Sequence, residues 1–284
     1  MERAALPGRL SRLRRLGDRL LGRGSERPSV PVPPGETNRT SSREAAAWRL
    51  VTVAELRVET THAKTIVFDV AGWPRHAAGQ HVDLRLTAED GYQAERSYSI
   101  ASPPEERGVA ITVDRIPDGE VSPFLNDELI VGDQIELRGP FGGYFNWKME
   151  DGGPLLLIAG GSGLVPLMAM LRHRRATAST AEVHLLLSAR SPDDVLYQDE
   201  LLTLGAAERV TLTQTFTREQ PAGWNGFARR IDREMLQAVG PASDAMAKVF
   251  ICGPTAFVEH AAQLLVDLGH RAEAIRTERF GPSG

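Results

Sequence analysis

The sequence contains a single cysteine, Cys252, among its 284 residues. One cysteine excludes an internal disulfide, and it excludes a zinc or iron–sulfur centre held by cysteines of this chain. Long apolar runs are missing too, since no stretch of about 18 or more apolar residues occurs. The sequence therefore predicts a protein that does not span a membrane.

Charge of one sign is not in strong excess either. The formal net charge is −4 and the isoelectric point is near 6.0, which excludes a nucleic-acid binder on composition. The N-terminus is basic, but Arg14 and Arg15 precede Leu-Gly-Asp-Arg rather than the apolar core of a secretory signal. We therefore expect a cytoplasmic location.

Residues 1–45 differ in composition from the rest of the chain. The segment 1–24 alternates arginines with leucines at helical spacing, which predicts a basic amphipathic helix. Such a helix suits an anionic membrane surface or an acidic partner, and a dispensable extension explains it equally well. Residues 25–45 are rich in proline, serine, glycine and threonine, which is typical of a disordered linker. The helical leucines are Leu6, Leu10, Leu13, Leu16 and Leu20.

Residues 46–150 show apolar residues at every second position in several short runs separated by glycine or proline. This period predicts about six antiparallel strands, and with no long helix among them it favours a small closed β-barrel. The alternating residues include Val51 and Val53, Ile66 and Phe68, Val82 to Leu86, Ile111 and Val113, and Ile135 and Leu137.

One of the predicted strands carries the residues Arg96-Ser97-Tyr98-Ser99. Alternation along a strand places Arg96 and Tyr98 on one face and the two serines on the other. A planar cofactor with a diphosphate would use arginine for phosphate oxygens, tyrosine against its ring system and serine at a ring nitrogen. By itself, the tetrapeptide also fits an ordinary exposed strand edge.

A short helix is predicted after Gly119-Glu120-Val121-Ser122. Ser122 is a suitable N-cap and Pro123 suits the first helical position. Backbone N–H groups at such a helix start, from Gly119, Val121 and Ser122, would complete a site for the diphosphate of such a cofactor. A capped helix after a turn explains the same residues without a ligand.

Residues 151–284 alternate buried apolar runs with helical stretches at 164–175, 194–204, 231–239 and 255–268, which predicts a parallel α/β sheet with right-handed crossovers. Unusual residues fall at the carboxyl ends of four predicted strands, the edge where open α/β sheets bind ligands. They are Gly160-Gly161-Ser162-Gly163, Ser188-Ala189-Arg190, Thr217-Arg218 and Cys252-Gly253-Pro254.

Each of these groups has a ligand interpretation and a structural one. The segment Gly160-Gly161-Ser162-Gly163 opens a helix, so its backbone can approach a pyrophosphate, although a tight strand-to-helix turn needs glycines as well. Thr217-Arg218 with Arg229-Arg230 would suit a ribose 2′-phosphate, or would simply be surface charges. Cys252 precedes glycine and proline, and buried cysteines are most often packing residues.

Taken in order, these motifs resemble the ferredoxin–NADP reductase family of flavoprotein oxidoreductases. The resemblance covers about residues 48–280 and rests on six short motifs, from Gly79-Gln80-His81 to Glu278-Arg279-Phe280. It implies a flavin-binding β-barrel at 46–150 followed by a nucleotide-binding α/β domain at 151–284.

The resemblance also implies roles for individual residues. Arg96, Ser97, Tyr98, Ser99, Gly119, Val121, Ser122 and Phe280 are expected to bind FAD. Glycines 160, 161 and 163 with Ser162, Arg190, Thr217, Arg218, Arg229, Arg230 and Cys252 to Pro254 are expected to bind NADP, with NAD as the alternative. Ser99, Cys252 and Glu278 are expected where hydride passes from nicotinamide to flavin, a step that needs alignment rather than a covalent intermediate.

The predicted function is therefore an FAD-dependent NAD(P)H oxidoreductase. Some relatives carry a fused ferredoxin-like domain, and a single cysteine provides none, so we expect a separate ferredoxin-like or other redox-protein acceptor. The alternatives are a reductase of free flavin, a non-turnover electron-transfer subunit of a larger complex, and a nucleotide-binding regulator.

Overall fold

The computed structural model describes residues 47–88, 90–205 and 209–281. The predicted amphipathic helix at 1–24 and the linker at 25–45 lie outside the described residues. None of the helices in those described ranges is both long and apolar enough to cross a membrane.

The first half of the described chain forms an antiparallel sheet of six strands. Alternate residues of each strand enter one core, for example Val51 and Val53 in β1 and Val82 and Leu84 in β3, all at most 2% exposed. The period-two pattern of the sequence is confirmed here. The strands are β1 (Arg49–Thr60), β2 (Ala63–Asp69), β3 (His81–Thr87), β4 (Gln93–Ser99), β5 (Val109–Asp114) and β6 (Gln134–Phe141), in the spatial order β4-β3-β6-β1-β2-β5.

The sheet curls like a barrel, but its edge strands β4 and β5 do not pair along their length. Among the described residues they approach through one isolated bridge, between Ile100 just after β4 and Ile111 in β5. Pro103 and Pro104 follow, and proline has no backbone N–H to continue a ladder. The predicted closed barrel is thus corrected to an open, barrel-like sheet.

The helix predicted near Ser122 is present as α1 (Ser122–Asp127), but its N-cap prediction is wrong. Val121 occupies the N-cap position and Ser122 is already inside the helix. The Ser122 hydroxyl instead accepts a hydrogen bond from the backbone N–H of Ile116 at 3.0 Å. The Ser122 hydroxyl therefore stabilises the turn that contains Gly119 and does not cap the helix.

The second half is a parallel sheet covered by helices on both faces. In β7, Leu155 and Leu157 enter one core while Leu156 and Ile158 enter the other, and all four are at most 1% exposed. A strand buried on both faces needs such a continuous apolar run. The strands are β7 (Leu155–Gly160), β8 (Val183–Ala189), β9 (Val210–Phe216), β10 (Lys248–Pro254) and β11 (Ile275–Phe280), in the order β11-β10-β7-β8-β9. The helices are α2 (Leu164–Ala176), α3 (Gln198–Gly205), α4 (Arg233–Val239) and α5 (Thr255–Asp267).

The predicted β-sheet and α/β halves are both confirmed, while the boundary between them near residue 150 stays a prediction. One helix begins later than its pattern suggests. A helix is predicted over 194–204, but α3 starts at Gln198 because Pro192–Asp194 forms a 3-10 turn and Tyr197 has a positive φ of 56°. A residue in the left-handed region interrupts a right-handed helix.

Tyr197 links the two halves through a buried polar contact. Its hydroxyl hydrogen-bonds the hydroxyl of Thr112 in β5, which in turn lies 2.7 Å from that of Thr65 in β2. Arg172 of α2 stacks 4.5 Å above the Tyr197 ring and donates to the carbonyl of Ala101 at 2.7 Å. Burial raises the pKa of Tyr197 to about 12. The phenol therefore stays neutral and holds the two sheets in a fixed relation.

Candidate functional site

The carboxyl ends of the parallel strands lie along one edge of the second sheet. Strand β7 ends at Gly160, β8 at Ala189, β9 at Phe216 and β10 at Pro254, so the four predicted groups do fall at this edge. Residues from the first sheet reach the same place, because Ser99 at the end of β4 contacts Glu278 in β11. Side chains from both halves therefore meet at this edge.

The turn at residues 160–163 favours glycine at two of its positions. Gly161 has a φ of +55°, a conformation that favours glycine. A Cβ on Gly163 would lie 2.1 Å from the carbonyl oxygen of Cys252. The turn therefore packs directly against the Cys252-Gly253-Pro254 segment, and its backbone is open to a ligand at the start of α2. These features fit the pyrophosphate of a nicotinamide dinucleotide.

Ser99, Cys252 and Glu278 come together although they are far apart in the chain. The Ser99 hydroxyl donates to Glu278 Oε2 at 3.4 Å, and the Cys252 thiol approaches the same oxygen at 3.8 Å. The parallel register of β10 and β11 pairs Cys252 with Glu278. This cluster joins a hydroxyl, a thiol and a carboxyl where the two sheets meet.

Burial changes the ionisation of two members of this cluster. It raises the pKa of Glu278 to about 7, against an ordinary value of 4.5, and the hydrogen bonds from Ser99 and Cys252 oppose it. Burial also raises the pKa of the Cys252 thiol well above its usual value, and the nearby Glu278 adds to this. Cys252 is thus a neutral thiol, which does not suit a nucleophile, while Glu278 can hold or release a proton near neutral pH.

Strand β4 presents its side chains as the alternation predicts. Tyr98 packs on the first core and burial raises the pKa of its phenol. Arg96, on the same face, is 32% exposed in its side chain. Ser97 points the other way, and its hydroxyl donates to Asp83 Oδ1 at 2.7 Å. A ring and a cation on one face suit a flavin with its diphosphate.

The segment before α1 lies beside Arg96. A Cβ on Gly119 would meet the Ser122 hydroxyl at 2.9 Å and the Ile116 carbonyl oxygen at 3.1 Å, so this turn favours a glycine. Val121 is 1% exposed and Ser122 6% exposed. Their side chains point inward, and the N–H of Gly119 already donates to the carbonyl of Ile116 at 2.9 Å. Phosphate binding by the backbone of Gly119, Val121 and Ser122 stays a prediction, and for Gly119 it would require this turn hydrogen bond to break.

Phe280 ends β11 and pairs in register with Pro254. Its side chain remains 39% exposed at the edge where the predicted ligands would meet. Stacking of Phe280 on a flavin stays a prediction.

The predicted NADP cations differ in what surrounds them. Arg190 pairs with Asp194 at 2.7 Å, and Arg229 pairs with Asp232 at 2.5 Å and with Glu234 at 3.1 Å. Arg218 is exposed and, within the described part of the chain, has no ion-pair partner. Arg230 is also exposed. The Thr217 hydroxyl is already used within the protein, because it donates to the carbonyl of Ala189 at 3.3 Å. Arg218 and Arg230 are therefore better placed for an added phosphate than Arg190 and Arg229, because no ion pair in the described part of the chain neutralises them.

Two site residues were missed by the motif interpretation. Glu120, inside the quoted Gly119 to Ser122 segment, forms an ion pair with Arg96 at 3.1 Å. Tyr92 donates its hydroxyl to the same carboxylate. A carboxylate is unusual in a turn that is proposed to bind phosphate, because both groups are negatively charged. Glu120 could therefore have been identified from the sequence. Nothing in the sequence pattern pointed to Tyr92.

Two family models match the chain. One describes an oxidoreductase FAD-binding domain and matches residues 54–146, and the other describes an oxidoreductase NAD-binding domain and matches residues 157–263. These ranges contain the strand Arg96–Ser99 and the Gly160–Gly163 turn, respectively. The order of the two domains is the one predicted from the motifs.

Curated relatives and solved structures agree with these models. The reductase component of propane 2-monooxygenase from Rhodococcus jostii is 32% identical over 206 residues, 71% of this chain and 55% of the relative. The glycine betaine monooxygenase reductase subunit from Pseudomonas aeruginosa is 32% identical over 209 residues, 72% of this chain and 56% of the relative. The chain thus spans about half the length of these curated relatives.

Among solved structures, the flavohem-like FAD/NAD-binding domain of nitric oxide dioxygenase from Vibrio cholerae superposes with a TM-score of 0.74 at 24% identity. The alignment covers 82% of this chain and 99% of that domain. At this identity the likeness shows a shared fold.

Proposed function

The chain belongs to the ferredoxin–NADP reductase family of flavoprotein oxidoreductases, and from this we propose that it takes a hydride from NAD(P)H with bound FAD and delivers electrons to a separate redox protein. The observation that carries the proposal is the meeting of Ser99, Cys252 and Glu278 between the two sheets. An FAD site on the first sheet and a nucleotide site on the second would have their reactive ends at this cluster.

The residues proposed to bind FAD are chemically suited to that cofactor. Arg96 would bind the diphosphate together with the backbone around Gly119, and Tyr98 would lie against the ring system. Ser99 would donate a hydrogen bond to a ring nitrogen. When bound, FAD would supply the link between a two-electron hydride donor and one-electron acceptors.

The residues toward the nicotinamide cofactor fit as well. The glycine turn at 160–163 would hold the pyrophosphate at the start of α2. Cys252, a small neutral thiol, would leave room for the nicotinamide ring to approach, and Gly253 and Pro254 would line the same place. Glu278, with a pKa of about 7, would hold or release a proton beside the reacting rings. The chemistry needs alignment of donor and acceptor, which these residues would provide.

We further propose NADPH as the preferred donor. Arg218 is exposed, and no ion pair within the described ranges neutralises it; it follows Thr217 at the carboxyl end of β9, where the adenosine ribose would lie. Arg229 contributes less to this preference, because Asp232 and Glu234 already balance its charge. A planar guanidinium suits a 2′-phosphate.

The acceptor is proposed to be a ferredoxin-like protein or the redox partner of an oxygenase. Two curated relatives are a reductase component and a reductase subunit of monooxygenases, which supports a protein acceptor over a small molecule. A cytoplasmic location also belongs to the proposal, and fractionation of the source cells would test it.

An anaerobic titration of the purified protein tests the proposal. The protein should show flavin absorbance that bleaches on addition of NADPH and returns with an oxidised [2Fe–2S] ferredoxin. Ser99→Ala should slow the bleaching about fivefold or more, the value of one hydrogen bond of about 1 kcal/mol. Ser243→Ala, an exposed serine before the amino end of β10, is the control and should bleach at the parental rate.

Other outcomes would change the assignment. Turnover with free FMN or riboflavin but none with any redox protein would identify a free-flavin reductase. A retained flavin that NADPH and NADH reduce only slowly would indicate an electron-transfer subunit that needs its complex. A protein that binds no flavin at all would contradict the proposal.

A further inference from the structure

We propose that Glu120 is a specificity-determining residue that competes with the diphosphate of FAD for Arg96, so that this chain holds FAD loosely and exchanges it. The inference rests on the proposed function, because it assumes that the flavin diphosphate binds at Arg96. It goes further because it assigns a role to Glu120, a carboxylate of the same turn. This residue would control how tightly FAD is bound.

The geometry places Glu120 where an anionic ligand would bind. Glu120 Oε2 accepts from Arg96 Nη2 at 3.1 Å, and its side chain is only 7% exposed. The other terminal nitrogen of the guanidinium, Nη1, donates to the carbonyl of Glu95 at 2.7 Å. Both terminal nitrogens of the Arg96 guanidinium therefore already donate to acceptors of the protein. One of these acceptors, the Glu120 carboxylate, carries a full negative charge.

Tyr92 fixes the carboxylate in this position. Its hydroxyl donates to Glu120 Oε1, while Oε2 faces Arg96. The hydrogen bond to Glu120 raises the pKa of Tyr92, with burial adding to it. Glu120 is therefore held by a phenol just before β4 on one side and by a guanidinium from the middle of β4 on the other.

Charge decides the consequence for a diphosphate. Arg96 and Glu120 together carry no net charge, so the pair attracts a phosphate far less than a lone arginine does. A diphosphate that binds Arg96 must displace the carboxylate or accept a like charge beside it. Because solvent hardly reaches Glu120, water screens this repulsion less than it would at the surface.

The effect is selective among flavins. Riboflavin has the same ring system as FAD but no phosphate, so Glu120 should not affect its binding through Tyr98 and Ser99. FAD binding should improve when the charge at position 120 is removed. Glu120→Gln keeps the size and hydrogen-bonding capacity of the side chain and removes only the charge.

The experiment is a fluorescence titration of flavin-free protein with FAD and, separately, with riboflavin. Glu120→Gln should bind FAD about tenfold more tightly than the parent, since a charge-assisted bond is replaced by an ordinary one, and should bind riboflavin as the parent does. Tyr92→Phe should act in the same direction with a smaller change. The melting temperature of flavin-free Glu120→Gln should fall, while its increase on adding FAD should grow.

Glu95→Gln is the matched control. It removes one carboxylate from the same strand, but the Glu95 side chain pairs with Arg138 at 3.3 Å and faces Arg85 at 3.9 Å. This variant should bind FAD with parental affinity. Tighter FAD binding in both variants would assign the effect to net charge and overturn the role of Glu120.

The remaining outcomes separate this inference from the proposed function. Equal or weaker FAD binding by Glu120→Gln would overturn the inference alone, and weaker binding would mean that Glu120 orients Arg96 for the cofactor. Failure of the parent and of every variant to bind either flavin would overturn the flavin site itself and the inference with it.

Discussion

Replacing Glu278 by glutamine should change how the stability of the protein depends on pH. Burial raises the pKa of this carboxyl to about 7 in the folded chain, against 4.5 for an ordinary glutamate. Between these values the folded protein keeps a proton that the unfolded chain has released. The stability of the parent should therefore fall as the pH rises from 4.5 to about 7. Above about pH 7 the ionisation of Glu278 should cause no further fall.

The size of the effect follows from the shift. Each unit of pH across this window is worth about 1.4 kcal/mol, so the rise from about pH 5.5 to pH 7 removes about 2 kcal/mol of the free energy of unfolding. For a protein of this size that is a melting temperature about 4–8 °C lower. Glutamine has no proton to lose, and the variant should lack this decrease.

Thermal unfolding of flavin-depleted parent and Glu278→Gln at about pH 5.5 and pH 8 measures the effect. The variant should gain about 4–8 °C relative to the parent between the two conditions. Glu273→Gln, which neutralises a largely exposed carboxylate with 78% of its side chain accessible, should follow the parent at both. A Glu278→Gln difference that is the same at both pH values would refute the assignment of a raised pKa to this carboxyl.

Four further outcomes test other parts of the structure. Arg96→Ala should lower flavin occupancy at least tenfold, since a hydrogen bond to a charged group is worth about 1.5–3 kcal/mol; a variant as yellow as the parent would remove the diphosphate from this strand. Arg218→Ala should lower kcat/KM for NADPH about thirtyfold, on the order of 2 kcal/mol, and leave NADH unchanged; equal losses with both donors would contradict a 2′-phosphate contact. Tyr197→Phe should lower the melting temperature by about 2–4 °C, the cost of one buried hydrogen bond of about 1 kcal/mol. Removal of residues 1–45 should leave flavin content and NADPH-driven dye reduction intact, because their composition offers little to a core; loss of flavin would show that the segment is structural.

The fold class was predictable because each half repeats a simple period. Alternating apolar residues indicate strands with one buried face, and the run Leu155 to Ala159 indicates a strand buried on both. The closed barrel was wrong, because closure depends on whether β4 and β5 pair, and that is decided by the path of the chain through Pro103 and Pro104. The start of α3 was wrong because the positive φ of Tyr197 has no signature in the apolar pattern.

The site was predictable in part. Glycines at 160, 161 and 163 and the segment after Cys252 have local requirements that a motif records, and the structure puts them in contact at the predicted edge. The N-cap at Ser122 was wrong, because its hydroxyl has a competing partner in the backbone of Ile116. Such competition is a matter of distances in three dimensions, which a motif does not contain.

The sequence by itself determined the two halves, their order and the positions of the special residues along each strand, since these depend on neighbouring side chains and strand periods. Only the tertiary structure decided which charges face one another. It brought Ser99 within 3.4 Å of Glu278 across 179 positions, and it set Glu120 on Arg96 across 24 positions. Electrostatic energies depend on separation and burial, and for residues distant in the chain both are fixed by how strands, turns and sheets pack together.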